Sequence, residues 1–430
     1  MLGTMTQGTA HDAPAANRFA RSGTALLVGA LTSNLLSYAF FVILSRYLSE
    51  GELGAVGSMV NLSVIATVPA LGLQLVAARL VARRAHEPAR VHPLERRLLG
   101  AGLALGVAVA LVLALVSPAV ARFLHVDVVT VIALAAALLP LTLAFTVQGL
   151  LQGRERFTAL AVVLALSGVA KLVGAILAAR LASGVTGVTV LYAAATAVVG
   201  VAGAAWVLAT GGGLPASGEA TRLHGTARLA RLVAAAIVPT SGLLFLASID
   251  VLLARQHLSR DESGLYTMGS LFEKAGFWGM SFLATLFYPA MTHADRRRKA
   301  LLRALGVTAG IGALGTLATA LLGGPLVAIV GGPGFAELSS DVWRFTAYGV
   351  ALALVQVLAY AGVAAATVRM GLAMWVVAGL GVVWVSLAGR SVQGVVTILL
   401  TCALALVAAG LVVERRTLGA SRDAAGVPLR

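Results

Sequence analysis

The chain has 430 residues, of which 59% are apolar and only 11% are charged, whereas soluble domains carry about 25% charged residues. This composition excludes a soluble protein and indicates an integral membrane protein with many spans. The single cysteine, Cys402, excludes an intrachain disulfide and a cysteine-built metal site. The formal charge of +15 would suit a nucleic-acid partner, so the positions of the basic residues decide its meaning.

Apolar segments long enough to cross a bilayer recur along the whole chain. Each crossing needs about 20 residues, because the hydrocarbon core is roughly 30 Å thick. Solid apolar runs predict an all-α protein, since a transmembrane barrel would show short alternating strands. The twelve predicted spans are 23–44, 56–76, 98–116, 128–150, 159–179, 188–208, 232–253, 265–288, 305–322, 345–366, 372–388 and 392–413.

Lysine and arginine are unevenly divided between the two sets of connecting segments. If the N-terminus is cytoplasmic, 23 of the 32 basic residues lie on the cytoplasmic side, seven lie opposite, and two lie within spans. This positive-inside bias predicts that both termini are cytoplasmic. The basicity therefore reports topology, so we expect contact with membrane lipids and no nucleic-acid partner.

A short polar phrase occurs twice in the chain. Residues 48–54 read "LSEGELG" and residues 258–264 read "LSRDESG", at an offset of 210. Each phrase follows the first span of a six-span half, in a predicted outward loop. Six spans per half give a parallel repeat, with a pseudo-two-fold axis along the membrane normal and the substrate site between the halves.

The repeat predicts how the chain is divided. We expect two six-helix bundles, joined by a cytoplasmic linker and flanked by cytoplasmic tails. The predicted parts are the tail 1–22, the bundle 23–208, the linker 209–231, the bundle 232–413 and the tail 414–430.

Four charged residues lie within predicted spans, where a charge costs roughly 2.5 to 3.5 kcal/mol at the bilayer centre. We predict that Lys171 and Lys274 face a central cavity and bind an anionic group such as a phosphate. Glu273 and Asp250 are candidates for ion coupling or for charge pairing. The structural alternatives are that Lys171 snorkels to the interface, Asp250 lies in the outer interface, and Glu273 and Lys274 pair with other spans.

Signatures of catalysis and metal binding are missing from the sequence. All seven histidines fall in predicted loops or tails, and no H-x-x-x-H or Walker A pattern is present. We therefore expect a protein that is not an enzyme and that uses no metal or cofactor. Any energy for its function would come from an ion gradient or a partner.

Several phrases together resemble one family. They are "LSRYLSEGELGAVGSM", "GLLQGRERF", "DVLLARQHLSRDESGLYTMGS" and "VGGPGFAE". They are similar to the polysaccharide biosynthesis and O-antigen flippase family, in the superfamily that also holds the multidrug and toxic compound extruders and the lipid II flippases. The resemblance implies a twelve-helix, two-bundle fold of the multidrug-extruder type in the bacterial cytoplasmic membrane.

The resemblance also implies a cargo. Members move polyprenyl diphosphate-linked oligosaccharides to the outer leaflet by alternating access, with envelope glycan-assembly proteins as possible partners. Their cationic cavity side chains correspond here, by position alone, to Lys171 and Lys274. The four intramembrane charges sum to zero, which departs from a strongly cationic cavity.

Two alternatives remain open. One is a drug or metabolite exporter with the same fold, although span one lacks the carboxylate expected of a cation-coupled extruder. The other is a non-transporting scaffold for envelope glycosyltransferases.

Overall fold

The computed structural model describes residues 13–84, 88–181, 183–210, 226–364 and 369–425, which form fifteen α-helices and one 3₁₀-helix and contain no strand. The helices of the first half are α1 (Ala13–Leu44), α2 (Glu50–Ala66), α3 (Val68–Ala82), α4 (Pro88–Leu115), α5 (Ser117–Leu124), α6 (Val128–Gly153), α7 (Phe157–Leu181) and α8 (Gly184–Thr210). Those of the second half are α9 (Thr226–His257), α10 (Arg260–Met291), α11 (Ala294–Leu321), α12 (Gly323–Val330), α13 (Val342–Ala364), α14 (Arg369–Ala388) and α15 (Val392–Ala425), with the 3₁₀-helix at Pro333–Ser340. The all-α prediction is confirmed.

Each predicted span falls on one of these helices, or on the pair α2 and α3 for 56–76, but several helices are longer: α1 begins at Ala13, α4 at Pro88, and α15 ends at Ala425. By length and composition, nine described helices can cross a membrane, or ten if the bent pair α2 and α3 is one span. The helices α9 and α10 carry Asp250, Glu273 and Lys274 and are not among the nine. Each has 32 residues, a length of about 48 Å at 1.5 Å per residue. Most of the predicted linker, 211–225, lies outside the described residues.

Span two is bent by 41° where α2 meets α3. Pro69 occupies the first turn of α3, where its missing N–H costs no hydrogen bond. Thr67, at the break, donates its hydroxyl to the Ser63 carbonyl at 2.8 Å. The bend therefore follows from proline at a helix start, and the Ser63 carbonyl accepts from both the N–H and the hydroxyl of Thr67.

The repeated phrase begins a helix in each half. Ser49 accepts a hydrogen bond from the Glu52 N–H at 3.3 Å, and the Glu52 carboxylate accepts one from the Ser49 N–H at 3.0 Å. Ser259 and Glu262 make the same two bonds at the same distances. These are capping boxes. The phrase is thus a helix start in its second part, and only its first residues form the loop that the sequence predicted.

The glycine that ends each phrase lies where the two halves cross. A side chain at Gly54 would meet Ser263 and Gly264, and one at Gly264 would meet the backbone of Glu50. Glycine allows two helix backbones to approach this closely. The helices α2 and α10 therefore cross at the repeated phrase.

Helix packing follows the same scheme in both halves. The helix α1 packs on α7 as α9 packs on α14, and α6 packs on α8 as α13 packs on α15. Between the halves, α2 packs on α9 and α10, and α3 packs on α9. The largest apolar core lies in the second half and extends into α1 and α2 through Phe40, Leu44 and Leu53.

Removing either capping box should weaken the fold measurably. Ser49→Ala and Ser259→Ala should each lower the free energy of unfolding by about 1 kcal/mol, because an N–H at the helix start loses its acceptor. Ser339→Ala is the control, since the exposed Ser339 hydroxyl donates to the Ala336 carbonyl and caps no helix start among the described residues. Unfolding in detergent would measure the effect, and equal stability of all three variants would contradict it.

Candidate functional site

A charge cluster lies inside the second half. Asp250 on α9 and Glu273 on α10 are both fully buried. Lys274 donates a hydrogen bond to the Glu273 carboxylate at 3.1 Å, and 18% of its side chain is exposed. The structure thus brings three of the four predicted residues together. Packing encloses Asp250, and Lys274 pairs with its neighbour Glu273. Asp250 on α9 also acts electrostatically on both residues, and the roles of the four residues remain predictions.

Three of the four carboxylate oxygens in the cluster lack a donor. Both oxygens of Asp250 and Oε1 of Glu273 are buried without a hydrogen-bond partner among the described residues. Asp250 acts electrostatically on both Glu273 and Lys274. Two buried carboxylates repel, and a proton on either one turns an unpaired acceptor into a donor. The cluster is therefore suited to hold an exchangeable proton.

Two buried tyrosines complete the cluster. Tyr348 donates its hydroxyl to the Leu246 carbonyl at 2.8 Å, whereas the Tyr266 hydroxyl has no partner among the described residues. The Tyr266 ring packs edge-on against Phe345 at 5.0 Å. Both tyrosines lie in the electrostatic field of Asp250. The sequence gives no signal for either, because a tyrosine in an apolar span looks like an ordinary core residue.

A third tyrosine approaches the cluster from the other half. Tyr38 on α1 is partly buried, and its hydroxyl has no partner among the residues that the structure describes. Glu273 on α10 acts electrostatically on it. The cluster therefore faces the interface between the halves, where the parallel repeat predicts the substrate site.

Lys171 stands apart from the cluster. It lies near the middle of α7, is half-buried, and has no hydrogen-bond or ion-pair partner in the described part of the chain. The close packing of α7 on α1 places Gly168, one turn earlier, against Ser33 and Leu36. Lys171 is thus an unpaired cation on the helix beside the one that carries Tyr38. The described contacts do not join it to Lys274, and its role remains a prediction.

Lys274 is the first residue of an apolar stripe on α10. Trp278, Phe282 and Leu286 follow at four-residue intervals, with exposed fractions of 39%, 49% and 64%. Residues four apart lie on the same side of a helix, and a side chain added at Gly279 would meet no atom within 4 Å. An ammonium group near mid-helix therefore stands at one end of an open apolar surface that runs toward Met291.

The interface between the halves differs on its two sides. On one side, α2 and α3 pack along α9. On the other side, α1 has no extended packing against α10 within the described residues. The apolar side chains Leu27, Leu31 and Leu35 on α1 are exposed. The α1 and α10 side is therefore the less sealed one, and the side chains exposed on these two helices are largely apolar.

The described residues contain no group of three His, Cys, Asp or Glu side chains placed to hold a metal ion. The charge cluster supplies two carboxylates, Asp250 and Glu273, with Lys274 beside them. This arrangement suits proton or monovalent ion exchange better than a divalent site, which needs more oxygen ligands.

Comparison with solved structures shows the fold. The chain is similar to an inward-facing multidrug resistance MATE transporter of the MOP superfamily, with a TM-score of 0.73 and 15% identity over 91% of this chain and 96% of that one. The outward-facing conformation of a multidrug resistance MATE transporter is similar with a TM-score of 0.63 and 14% identity, over 93% of this chain and 95% of that one. The chain is also similar to a MOP superfamily transporter from Pyrococcus furiosus, with a TM-score of 0.62 and 15% identity over 93% of this chain and 95% of that one. That transporter is described as having a binding pocket of reverse polarity, which suggests a different function.

Sequence comparison shows the family. No curated protein matches the chain. The family described as polysaccharide biosynthesis protein matches residues 19–295, which is more than half of the chain and includes both copies of the repeated phrase. The resemblance noted in the loop phrases is thereby confirmed, and the chain belongs to the polysaccharide biosynthesis protein family.

Proposed function

We propose that this membrane transporter moves a lipid-linked saccharide precursor from the cytoplasmic to the outer leaflet of the cytoplasmic membrane. Membership in a polysaccharide biosynthesis family and the MATE-type fold support a transporter of the MOP superfamily. Neither comparison names the carrier lipid, so the choice of cargo depends on the chemistry of the site.

The observation that carries the proposal is the stripe on α10. A polyprenyl diphosphate-linked sugar combines an anionic head with a long apolar chain. Lys274 offers a cation for the diphosphate, and the exposed side chains from Trp278 to Leu286 offer an apolar surface for the first part of the chain. The less sealed side between α1 and α10 would let the rest of the lipid stay in the bilayer.

The charge balance of the cluster suggests how binding is coupled to a proton. With both carboxyls ionised, Asp250, Glu273 and Lys274 sum to one negative charge, which opposes an anionic cargo. One proton makes the sum neutral and a second makes it positive, because Lys274 is then no longer paired with a carboxylate. Proton uptake would therefore release Lys274 for the diphosphate, and proton loss would restore the ion pair and expel the cargo.

Transport would follow from movement of the two predicted bundles, 23–208 and 232–413, around this site. Tyr38 and Lys171 belong to the first bundle and the charge cluster to the second, so a rocking motion changes what the cluster faces. With both termini cytoplasmic, as the distribution of basic residues predicts, the sugar enters from the cytoplasmic side.

A drug or metabolite exporter is the second candidate, because the similar solved structures include multidrug transporters. The exposed apolar stripe beside Lys274 favours a lipid-linked cargo, since a small soluble substrate has no chain to cover it. A scaffold for glycosyltransferases would need neither the buried charges nor the stripe.

Depleting the protein from its host cell distinguishes these functions. For a flippase, we expect lipid-linked saccharide to accumulate in the cytoplasmic leaflet, where an impermeant sugar-modifying reagent added outside cannot reach it. Unchanged leaflet distribution with raised drug sensitivity would support the exporter. Loss of lipid-linked saccharide synthesis itself, with no trapped precursor, would support the scaffold.

A further inference from the structure

Two arginines join the halves at one end of the molecule. This end, called the loop end, carries the short connections 45–49, 125–127 and 258–259. Arg255, near the end of α9, is only 4% exposed. It donates hydrogen bonds to the carbonyls of Leu124 at 2.9 Å, His125 at 3.2 Å and Gly51 at 3.1 Å. All three acceptors belong to the first half, so one buried guanidinium of the second half bonds two separate elements of the first.

Arg46 makes the opposite connection. It follows α1 in the first half and donates hydrogen bonds to the carbonyls of Ile329 at 2.8 Å and Ala328 at 3.3 Å in α12. Gly332 has a φ of 92°, and a side chain there would overlap the Arg46 guanidinium. The second half therefore has a glycine where the arginine of the first half must fit.

The two arginines occupy similar positions in the internal repeat, shifted by one residue, because the offset of 210 aligns Arg46 with Gln256. Arg46 ends the phrase "VILSR" and Arg255 ends "VLLAR", each after the first span of its half. Each bonds carbonyls at the end of a short helix of the opposite half, α12 for Arg46 and α5 for Arg255. The last carbonyls of a helix lack partners within it and carry partial negative charge, so a guanidinium fits both sites.

We propose that Arg46 and Arg255 form a reciprocal latch that holds the loop end closed during the transport cycle. Opening this end requires both guanidinium groups to leave their carbonyls, and the buried Arg255 would lose most of its acceptors at once. Each half thereby supplies one arginine and one acceptor helix. The latch depends on the alternating movement proposed above but not on the identity of the cargo.

The surroundings of the latch suit a gate. A crevice of about 560 Å³ lies at the loop end, with walls from both halves that include Asp127 and Asp261, and Arg255 borders it. Carboxylates also oppose the latch. The pKa of Glu50, at the start of α2 and outside the predicted span, is raised by burial and by Asp261 and Glu337 of the second half. Repulsion among these carboxylates thus opposes the attraction through arginine.

The test measures opening directly, without transport. Thr267→Cys, combined with Cys402→Ala, places one thiol at the α2 and α10 crossing, where residue 267 is 1% exposed and contacts Gly57. Its rate of reaction with an impermeant thiol reagent reports the open fraction of the loop end. We expect Arg255→Ala to raise this rate at least about tenfold and Arg46→Ala about threefold, because charged donors that bond carbonyls of the opposite half are lost.

Two controls make the result decisive. Arg122→Ala removes an arginine at the same end whose one hydrogen bond among the described residues is to Pro118 of its own helix, so the rate should not change. The native Cys402, kept alone in a parallel set of variants, is buried in the second-half core and reports unfolding. If Arg255→Ala makes Cys402 reactive, that variant is unfolded, and the test then depends on Arg46→Ala, because Arg46 is exposed. If the Arg46→Ala and Arg255→Ala variants both react at the rate of Arg122→Ala, the latch is overturned. When Arg255→Ala unfolds the protein, the same rate in Arg46→Ala alone overturns it. Either result leaves the proposed function standing.

Discussion

Replacing Lys274 with alanine should reduce transport of lipid-linked saccharide at least about tenfold while the protein stays in the membrane. The ammonium is the one basic group in the buried cluster, and a lost bond to a charged partner is worth about 1.5 to 3 kcal/mol, or one to two powers of ten in rate. Transport is measured as protection of labelled lipid-linked saccharide from an impermeant reagent. Normal transport by Lys274→Ala would contradict the binding role.

The alanine variant also leaves Glu273 without its ion-pair partner, so the loss of transport needs separating from a loss of stability. Lys274→Ala combined with Glu273→Gln removes both charges and should restore stability without restoring transport. Lys274→Arg keeps the charge and should retain part of the activity. Lys299→Ala is the matched control, because Lys299 is an exposed lysine near the start of α11 and outside the cluster. Recovery of transport in the double variant would show that the ion pair is structural.

Replacing Gly264 with valine should be among the most damaging substitutions for the assembly of the two halves. A side chain at Gly264 would overlap the backbone of Glu50, which belongs to a capped helix start and cannot shift like a flexible side chain. Overpacking against a backbone costs at least about 1 to 3 kcal/mol. We expect a lower unfolding temperature, a reduced yield of folded protein and a loop end that is more reactive in the thiol assay.

The matched control for this variant is Gly306→Val on α11. Gly306 is an exposed helical glycine, and a side chain there would meet no atom within 4 Å. Both variants replace a helical glycine with the same residue, so their intrinsic helix preferences largely cancel. Equal stability of the two variants would mean that α2 and α10 do not cross as closely at Gly264 as the structure indicates.

The helices were largely predictable because a membrane span is a local property of the chain. Twenty consecutive apolar residues predict a helix wherever they occur, since the bilayer offers no partner for an unpaired backbone group. Pro69 marks the break at Thr67, because proline is favoured in the first turn of a helix. The helix starts at Ser49 and Ser259 were visible in principle, because serine followed three residues later by glutamate is a capping-box pattern, although the sequence was interpreted there as loop.

The candidate site was predictable only in part. Lys274 and Glu273 stood out because charges are rare within spans, and their ion pair is between sequence neighbours. Asp250 lies near the end of its predicted span, which suggested a place in the membrane interface. Its position along α9 does not reveal that α10, with Glu273, lies beside it. Tyr38, Tyr266 and Tyr348 gave no signal at all, because the meaning of a tyrosine depends on what its hydroxyl faces.

The sequence by itself determined that this is an all-helical membrane protein with an internal repeat and a few intramembrane charges, because composition, apolar runs and repeated phrases are visible along the chain without knowing which helices pack together. The tertiary structure alone decided that the repeated phrase is a crossing point, that Asp250 joins Glu273, and that Arg46 and Arg255 reach into opposite halves. Arg255 and Gly51 are 204 residues apart in the chain and 3.1 Å apart in their hydrogen bond. No local pattern encodes such a contact, since it exists only once both bundles have packed against each other.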